Sequence, residues 1–407
     1  MSERLKKAYP WVVVGLLWFV AFLNYMDRQM LSTMREAMAV DIVQLQSAQN
    51  FGRLMAIFLW IYGIVSPFAG SFADRVSRKW LIVTSLAVWS AVTLLMGYCT
   101  DFRQLYWLRA LMGVSEALYI PSSLSLIADY HTGKSRSLAV GVHMTGLYLG
   151  QAIGGFGATL AAALSWQQTF HWFGFIGIAY AAVLALFLKE KRNERIEVAT
   201  PKTPVLKGFA LVFTNIAFWV ILFFFASVSL PGWATKNWLP TLFSDSLGIS
   251  MAKAGPVSTI TIAVSSFIGV MLGGVLSDRW VKKNLRGRIY TSAIGMAVMI
   301  PALVLLGLGH GMAAAIAAGM LFGIGFGIVD ANNMPILCQF MPSRLRATAY
   351  GIMNMTGVFM GALCTQMLGR MADTGNLGLA FAVLGGVTLL ALALQLGVLR
   401  PQTDDMQ

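Results

Sequence analysis

Twelve stretches of about 20 apolar residues, divided by short polar breaks, constrain this 407-residue chain more than any other feature. A helix of ~20 residues covers the ~30 Å hydrocarbon core of a bilayer. In lipid every backbone N–H and C=O must bond internally, which leaves only helices and closed barrels. The apolar runs are continuous rather than alternating, so barrel strands are excluded. With 57% hydrophobic and 12% charged residues, against about 25% charged in soluble domains, a cytosolic enzyme, a disordered chain and a fibrous repeat are excluded too. The spans fall near 10–32, 51–73, 80–98, 103–128, 136–162, 168–188, 209–235, 253–277, 288–307, 311–337, 345–369 and 377–399. The expected fold is an all-α polytopic membrane protein of twelve transmembrane helices.

The start of the chain, with Arg4, Lys6 and Lys7, has the basic flank of a signal peptide. Its apolar run is too long, however, and Asn24–Arg28 occupies the place of a cleavage site, so a retained first helix is expected. Three widely spaced cysteines, Cys99, Cys338 and Cys364, imply neither a disulfide framework nor a metal cluster. No cofactor is expected. The net charge of +13 could suggest nucleic acid. Sorted by loop, however, 22 of the 30 Lys and Arg lie on one side of the twelve spans. The positive-inside rule then places both termini in the cytoplasm and makes the basic balance a topology signal, with no nucleic-acid partner.

The longest polar stretch, Lys189 to Lys207, falls between the sixth and seventh spans. It divides the chain into 1–188, an N-terminal six-helix bundle, 189–208, a cytoplasmic linker, and 209–407, a C-terminal six-helix bundle. The halves echo each other. Gly70, Asp74, Arg75, Arg78 and Lys79 recur as Gly274, Asp278, Arg279, Lys282 and Lys283. Arg136, Ala139 and Gly141 recur as Arg346, Ala349 and Gly351, and Glu116 precedes Pro121 as Asp330 precedes Pro335. Two six-helix bundles related by pseudo-two-fold symmetry about the membrane normal are the parallel repeats of a transporter.

At these residues the sequence resembles the major facilitator superfamily, whose loop signature between helices 2 and 3 is carried by Gly70, Asp74, Arg75, Arg78 and Lys79, with Ser77 in place of a glycine. Within it, Asn24-Tyr25-Met26-Asp27-Arg28, the Arg109–Glu116 spacing and Trp238-Leu239-Pro240 resemble the anion:cation symporter family of sugar-acid and galactonate permeases and sialin-like carriers. The resemblance implies that helices 1, 4, 7 and 10 line a central cavity. It implies proton-coupled uptake of an organic anion by alternating access, most of all a carboxylated sugar such as a sialic acid, hexuronate or aldonate. It further implies a monomer in a bacterial inner membrane, whose partners are a small organic anion, protons and the lipid bilayer. Tyr62 stands where the family often places a substrate-contacting tyrosine, the alternative being an interface aromatic, and Tyr25 of the helix 1 motif is a second candidate for substrate binding. The drug antiporters' glycine–proline pattern in helix 5 is incomplete, because Gln151 follows Gly150. Export of drugs or lysolipids remains the alternative.

Four charges fall inside spans: Asp27 and Arg28 in the first, Arg109 and Glu116 in the fourth. Unpaired at mid-bilayer they would cost on the order of 10–14 kcal/mol together, so they must pair, face water, or both. One reading is a neutral structural cluster. The other is a site in which Arg28 and Arg109 hold a substrate carboxylate, which their planar forks suit, while Glu116 and Asp27 carry the coupled proton. Arg109 and Glu116 are seven residues apart and share a helix face. Asn332 and Asn333 either bind sugar hydroxyls or satisfy backbone freed by Pro335. Lys236 reads as a lysine snorkelling to the outer surface, the alternative being an anion lure, and His143 as a hydrogen-bonding core histidine rather than a titrating one. The repeated loop motifs make Asp74, Arg75 and Arg78 a cytoplasmic gate against the start of helix 11, with Asp278 and Arg279 acting likewise near Arg136. Gly146, Gly150 and Gly154, like Gly357 and Gly361, read as seams on which the halves rock. A membrane-embedded enzyme is disfavoured, since no metalloprotease or nucleophile-elbow motif occurs.

Overall fold

A computed structural model describes residues 3–73, 76–131, 135–190 and 211–403. Asp74, Arg75 and most of the linker lie outside these. The described residues are all-helical, with no strand among them. Ten helical spans among them are long and apolar enough to cross a membrane. The expected fifth and eleventh spans are helices as well, α7 (Ser135–Gly154) and α14 (Ser343–Asp373). Four glycines dilute the apolar character of α7, and Arg344, Arg346, Arg370 and Asp373 that of α14.

The chain divides into two compact units, Met1–Ile196 with Ser250–Thr259, and Glu197–Ile249 with Ile260–Gln407. The first holds α1 (Glu3–Leu31), α2 (Arg35–Ala39), α3 (Ala48–Ala73), α4 (Arg78–Met96), α5 (Phe102–Ala117), α6 (Tyr119–Tyr130), α7, α8 (Gly157–Ala163) and α9 (Trp166–Phe187). Here α1 packs along α7, α3 along α5 and α4 along α9. The second holds α10 (Ile216–Leu247), most of α11 (Met251–Val281), α12 (Gly287–Leu308), α13 (Met312–Phe340), α14 and α15 (Leu377–Val398). Its pairings α10 with α14 and α12 with α15 repeat α1 with α7 and α4 with α9, so the sequence echo has a counterpart in packing.

Two local features place the site. The expected fourth span is two successive helices, α5 and α6, joined at Leu118. Pro121 suits the first turn of α6, where its missing N–H costs no helical bond. At the break Ser115 O accepts from the Leu118 backbone N–H at 3.3 Å and from Ser85 Oγ of α4 at 2.5 Å. Glu116 therefore sits in the last turn of a tied helix. In the second unit α10 runs past Trp238-Leu239-Pro240, which reads in sequence as a span end. It stops at Gly248, whose left-handed φ of 62° is a glycine conformation; Ile249 N–H then reaches back to Ser244 O.

The glycines of α7 pack against α1. They lock α7 to α1 within one unit: a Cβ on Gly150 would stand 2.3 Å from Phe22 O and one on Gly154 2.7 Å from Met26 O. Real atoms cannot approach so closely, so only glycine lets the two backbones touch. The site residues of α1 are thus seated against α7.

Candidate functional site

Three helix faces of the first unit converge. Asn24 and Arg28 are four residues apart on α1, Phe58 and Tyr62 four apart on α3, and Arg109, Met112 and Glu116 follow at three- and four-residue steps on α5. Such spacing stacks side chains on one side of a helix. Glu116 is fully buried. Its Oε2 accepts from Arg28 Nε at 2.5 Å and from Asn24 Nδ2 at 2.9 Å. The Arg28 guanidinium also lies among three aromatic rings, 5.2 Å from the Tyr25 centroid, 4.8 Å from Phe58 and 5.0 Å from Tyr62. Arg109 rests on the same Phe58 ring at 4.7 Å, with Nη1 3.0 Å from Met112 Sδ. Facing the ring quadrupole in a desolvated site stabilises a cation by up to about 2 kcal/mol.

Arg109 and Glu116 lie on α5, as the sequence predicts, and the hydrogen-bonded ion pair forms across helices, between Arg28 and Glu116. Asp27, on the other hand, follows the ~100° turn per residue away from Arg28. It is buried and within electrostatic reach of Glu116 and Arg109. The four charges sum to zero. Their hydrogen-bonding capacity is not exhausted: among the described residues Asp27 Oδ1, Arg28 Nη2, Arg109 Nε and Glu116 Oε1 are buried and unpartnered. Each such group costs ~1–3 kcal/mol. A carboxylate ligand offers acceptors for the two guanidinium donors, and a proton on either acid turns an acceptor into a donor.

Asn24 and Phe58 escaped the sequence reading. Asn24 stood inside a quoted motif with no role assigned, and its i,i+4 spacing to Arg28 was the available signal. Phe58 in an apolar span carries no such signal. His143 is fully buried 6.1 Å from the Tyr119 ring, both its nitrogens unpartnered among the described residues.

In the second unit, α13 presents Asp330, Asn332 and Asn333. Asn332 Nδ2 donates to Ile328 O at 2.8 Å and Asn333 Nδ2 to Asp330 Oδ1 at 3.2 Å. The first amide serves the helix backbone; the second reaches an acid. Lys236 on α10 is half-buried over the Trp233 and Phe326 rings and acts electrostatically on Asp330.

Of the residues expected from sequence to gate the cytoplasmic side, Arg78 is buried at the start of α4 and pairs with Asp129 on α6. Its backbone N–H, with the Ser77 hydroxyl, donates to the Glu190 carboxylate just beyond α9. Glu190 thereby caps α4, an anion at a helix N-terminus. Asp278 and Arg279 are exposed in the last turn of α11, and Arg136 is exposed in the first turn of α7.

Known proteins resemble this chain along most of its length. The family model of the Major Facilitator Superfamily matches residues 17–365. A hexuronate transporter of Bacillus subtilis is 28% identical over 313 residues, covering 72% of this chain and 71% of the relative. A D-galactonate transporter of Escherichia coli O6:H1 is 23% identical over 393 residues, covering 84% of each. Among solved structures, an inward-facing bacterial homologue of the human lysosomal transporter Spinster superposes with a TM-score of 0.80 over 97% of both chains at 18% identity, which shows the fold alone.

Proposed function

Because the chain belongs to the Major Facilitator Superfamily, as a multi-pass membrane transporter and not an enzyme, we propose that it takes up a carboxylated sugar together with protons by alternating access. The observation that carries this reading is the neutral cluster of Asp27, Arg28, Arg109 and Glu116, with buried donors left over on both arginines. A substrate carboxylate accepts from Arg28 Nη2 and Arg109 Nε, and Tyr25 and Tyr62 flank it. An anion added to a neutral cluster in low dielectric leaves an uncompensated charge, of a kind that costs ~2.5–3.5 kcal/mol at mid-membrane. A proton on Glu116, released from Arg28 as the arginine turns to the substrate, restores neutrality. Asp27 senses the substrate charge through Arg109. Substrate and proton therefore enter together.

The relatives' names, hexuronate and D-galactonate, support a sugar acid as the anion. Asp74, Arg75 and Arg78 with Asp278, Arg279 and Arg136 are proposed to work the cytoplasmic gate, and both termini to lie in the cytoplasm of a bacterial inner membrane. The test is a thermal-shift screen of the purified chain against hexuronates, aldonates, sialic acids and dicarboxylates. A ligand at 100 times its dissociation constant stabilises by about 2.7 kcal/mol. No stabilisation by any sugar acid, with clear stabilisation by another anion class, would sink the reading.

A further inference from the structure

Beyond the charged cluster of the first unit, three ionisable groups follow α1 in descending order. Gly146 and Gly150 of α7 face α1 so closely that a Cβ on them would stand 2.6 Å from Trp18 O and 2.3 Å from Phe22 O. The two helices therefore run in step, and His143, three residues before Gly146, lies level with Gly15. Glu116 accepts from Asn24, ~14 Å further along the α1 axis at 1.5 Å per residue. Tyr119 fills the interval: its hydroxyl donates to Leu17 O at 2.8 Å, and its ring stands 6.1 Å from that of His143. Past His143, His131 ends α6 with its ring 4.7 Å from that of Trp11 and Nδ1 3.3 Å from the Ser135 hydroxyl.

These rungs are buried and have bonding capacity to spare. Tyr119 and His143 are fully buried, and His131 is 3% exposed. Among the described residues, both nitrogens of His143 and Nε2 of His131 have no partner, nor has Nε1 of Trp89, whose ring meets Tyr119 edge-on at 5.6 Å. Buried polar groups are nearly always hydrogen-bonded, so a histidine with neither nitrogen used calls for water or for a proton-carrying role. Imidazole accepts at one nitrogen, donates from the other, and in its ordinary state titrates near neutral pH. The ionisable neighbours at its level are Tyr119 of α6 and Tyr180 of α9, whose hydroxyl donates to Leu16 O at 2.9 Å. Charged side chains on the packed helices stand at the two ends of the ladder: Asp27 and Arg28 with Glu116, and Asp129 and Arg136 where α6 ends and α7 begins.

We propose that Tyr119, His143 and His131 form a water-assisted route by which the proton on Glu116 leaves towards the end of the bundle where α1 begins, the cytoplasmic end in the orientation proposed above. This rests on the proton-coupled reading of Glu116 and extends it. Each transfer breaks one O–H or N–H bond as it forms another. Glu116 gives its proton to water, His143 takes one at one nitrogen and yields one from the other, and the freed carboxylate pairs again with Arg28. His143 acts as a relay: it sets how fast the proton leaves, not how far the substrate accumulates.

The experiment uses the full chain in proteoliposomes with labelled D-galactonate or D-glucuronate. His143→Phe keeps a ring and removes both nitrogens. Net uptake on an imposed pH gradient is expected to slow at least about tenfold in this variant, yet to reach the wild-type plateau. Exchange of internal for external substrate, in which the proton stays bound, is expected at the wild-type rate. Net uptake at the wild-type rate overturns the route. Equal slowing of net uptake and exchange overturns it too, because that marks a packing role, and so does a lost plateau, which makes His143 the coupling site itself. A measurement on the wild-type protein decides the matter even if the variant does not fold. Deuterium exchange at the carbon between the two ring nitrogens, read by mass spectrometry, is expected within about tenfold of the rate at exposed His310. A rate more than about a hundredfold slower leaves His143 dry and overturns the route. A wild-type protein that exchanges sugar acid yet never accumulates it on a pH gradient removes the proton-coupled reading, and the route with it.

Discussion

Arg28 on α1 and Glu116 on α5, 88 residues apart in the chain, meet at 2.5 Å between Nε and Oε2. A buried pair of this kind contributes to stability only when further hydrogen bonds satisfy its remaining groups, and removing one partner costs ~3–5 kcal/mol. Here Asn24 supplies one further bond to the acid, and three rings surround the cation. The remaining capacity is what a substrate and a proton would use.

Glu116→Gln keeps the shape and removes the charge that a proton would neutralise. It is expected to bind sugar acid and exchange it across proteoliposome membranes, yet fail to accumulate it on an imposed pH gradient. Accumulation at wild-type level in Glu116→Gln would falsify the assignment. If Asp27→Asn alone loses accumulation, the proton site lies on α1.

Arg109→Lys retains a positive charge but neither the planar fork nor the guanidinium face resting on Phe58. Substrate affinity is expected to fall at least tenfold, about 1.4 kcal/mol. Titration by isothermal calorimetry checks it, and full affinity in the lysine variant would reduce Arg109 to a charge balance.

Gly150→Ala places a Cβ against Phe22 O, whereas the same substitution at Gly141 meets nothing within 4 Å. The first is expected to lower the thermal midpoint of the purified protein by several degrees. The second is expected to leave it unchanged or raise it slightly, since glycine inside a helix costs ~0.5–1 kcal/mol relative to alanine. Equal midpoints for the two variants would mean that α1 and α7 are not held by close backbone approach.

Cys99, beyond the end of α4, has its thiol pushed up to about 11 by burial, with the Asp101 charge adding to the effect. Raising an acid's folded-state value favours the neutral thiol, so the reactive thiolate is scarce until the pH nears 11 and grows as pH rises. At pH 8 its labelling by a maleimide is expected to be roughly a hundredfold slower than that of an unperturbed thiol. Mass spectrometry on a Cys338→Ser, Cys364→Ser background reads this directly.

A reporter fused after Gln407 is expected to be active only in the cytoplasm, because 22 of the 30 basic residues lie on that side of the spans. Activity in the periplasm would reverse the orientation and the direction assigned to uptake.

The helical fold was legible because lipid leaves few options: apolar runs of span length have to become helices. Intramembrane charges were legible for the same reason, since Asp27, Arg28, Arg109 and Glu116 are expensive unless used. Which charge meets which was not. Spacing along one helix put Arg109 and Glu116 on one face, but inter-helix geometry decides which groups meet, and the Gly150 contact that seats α1 on α7 carries no label in sequence. Gly146, Gly150 and Gly154 were visible as a close-packing stripe, while the identity of the helix they grip was not. Lys236 near a span end has two ordinary fates, and only the placement of α13 brought Asp330 to it.

One ring beneath two guanidinium groups has a consequence for how such carriers are surveyed. Phe58 bears no charge, yet Arg28 and Arg109 both rest on it, so replacing it by alanine disturbs two cations in one stroke. In a deep mutational scan scored by growth on the substrate, this phenylalanine would rank with the ionic residues, and a survey confined to polar side chains would pass over the floor on which both of them stand.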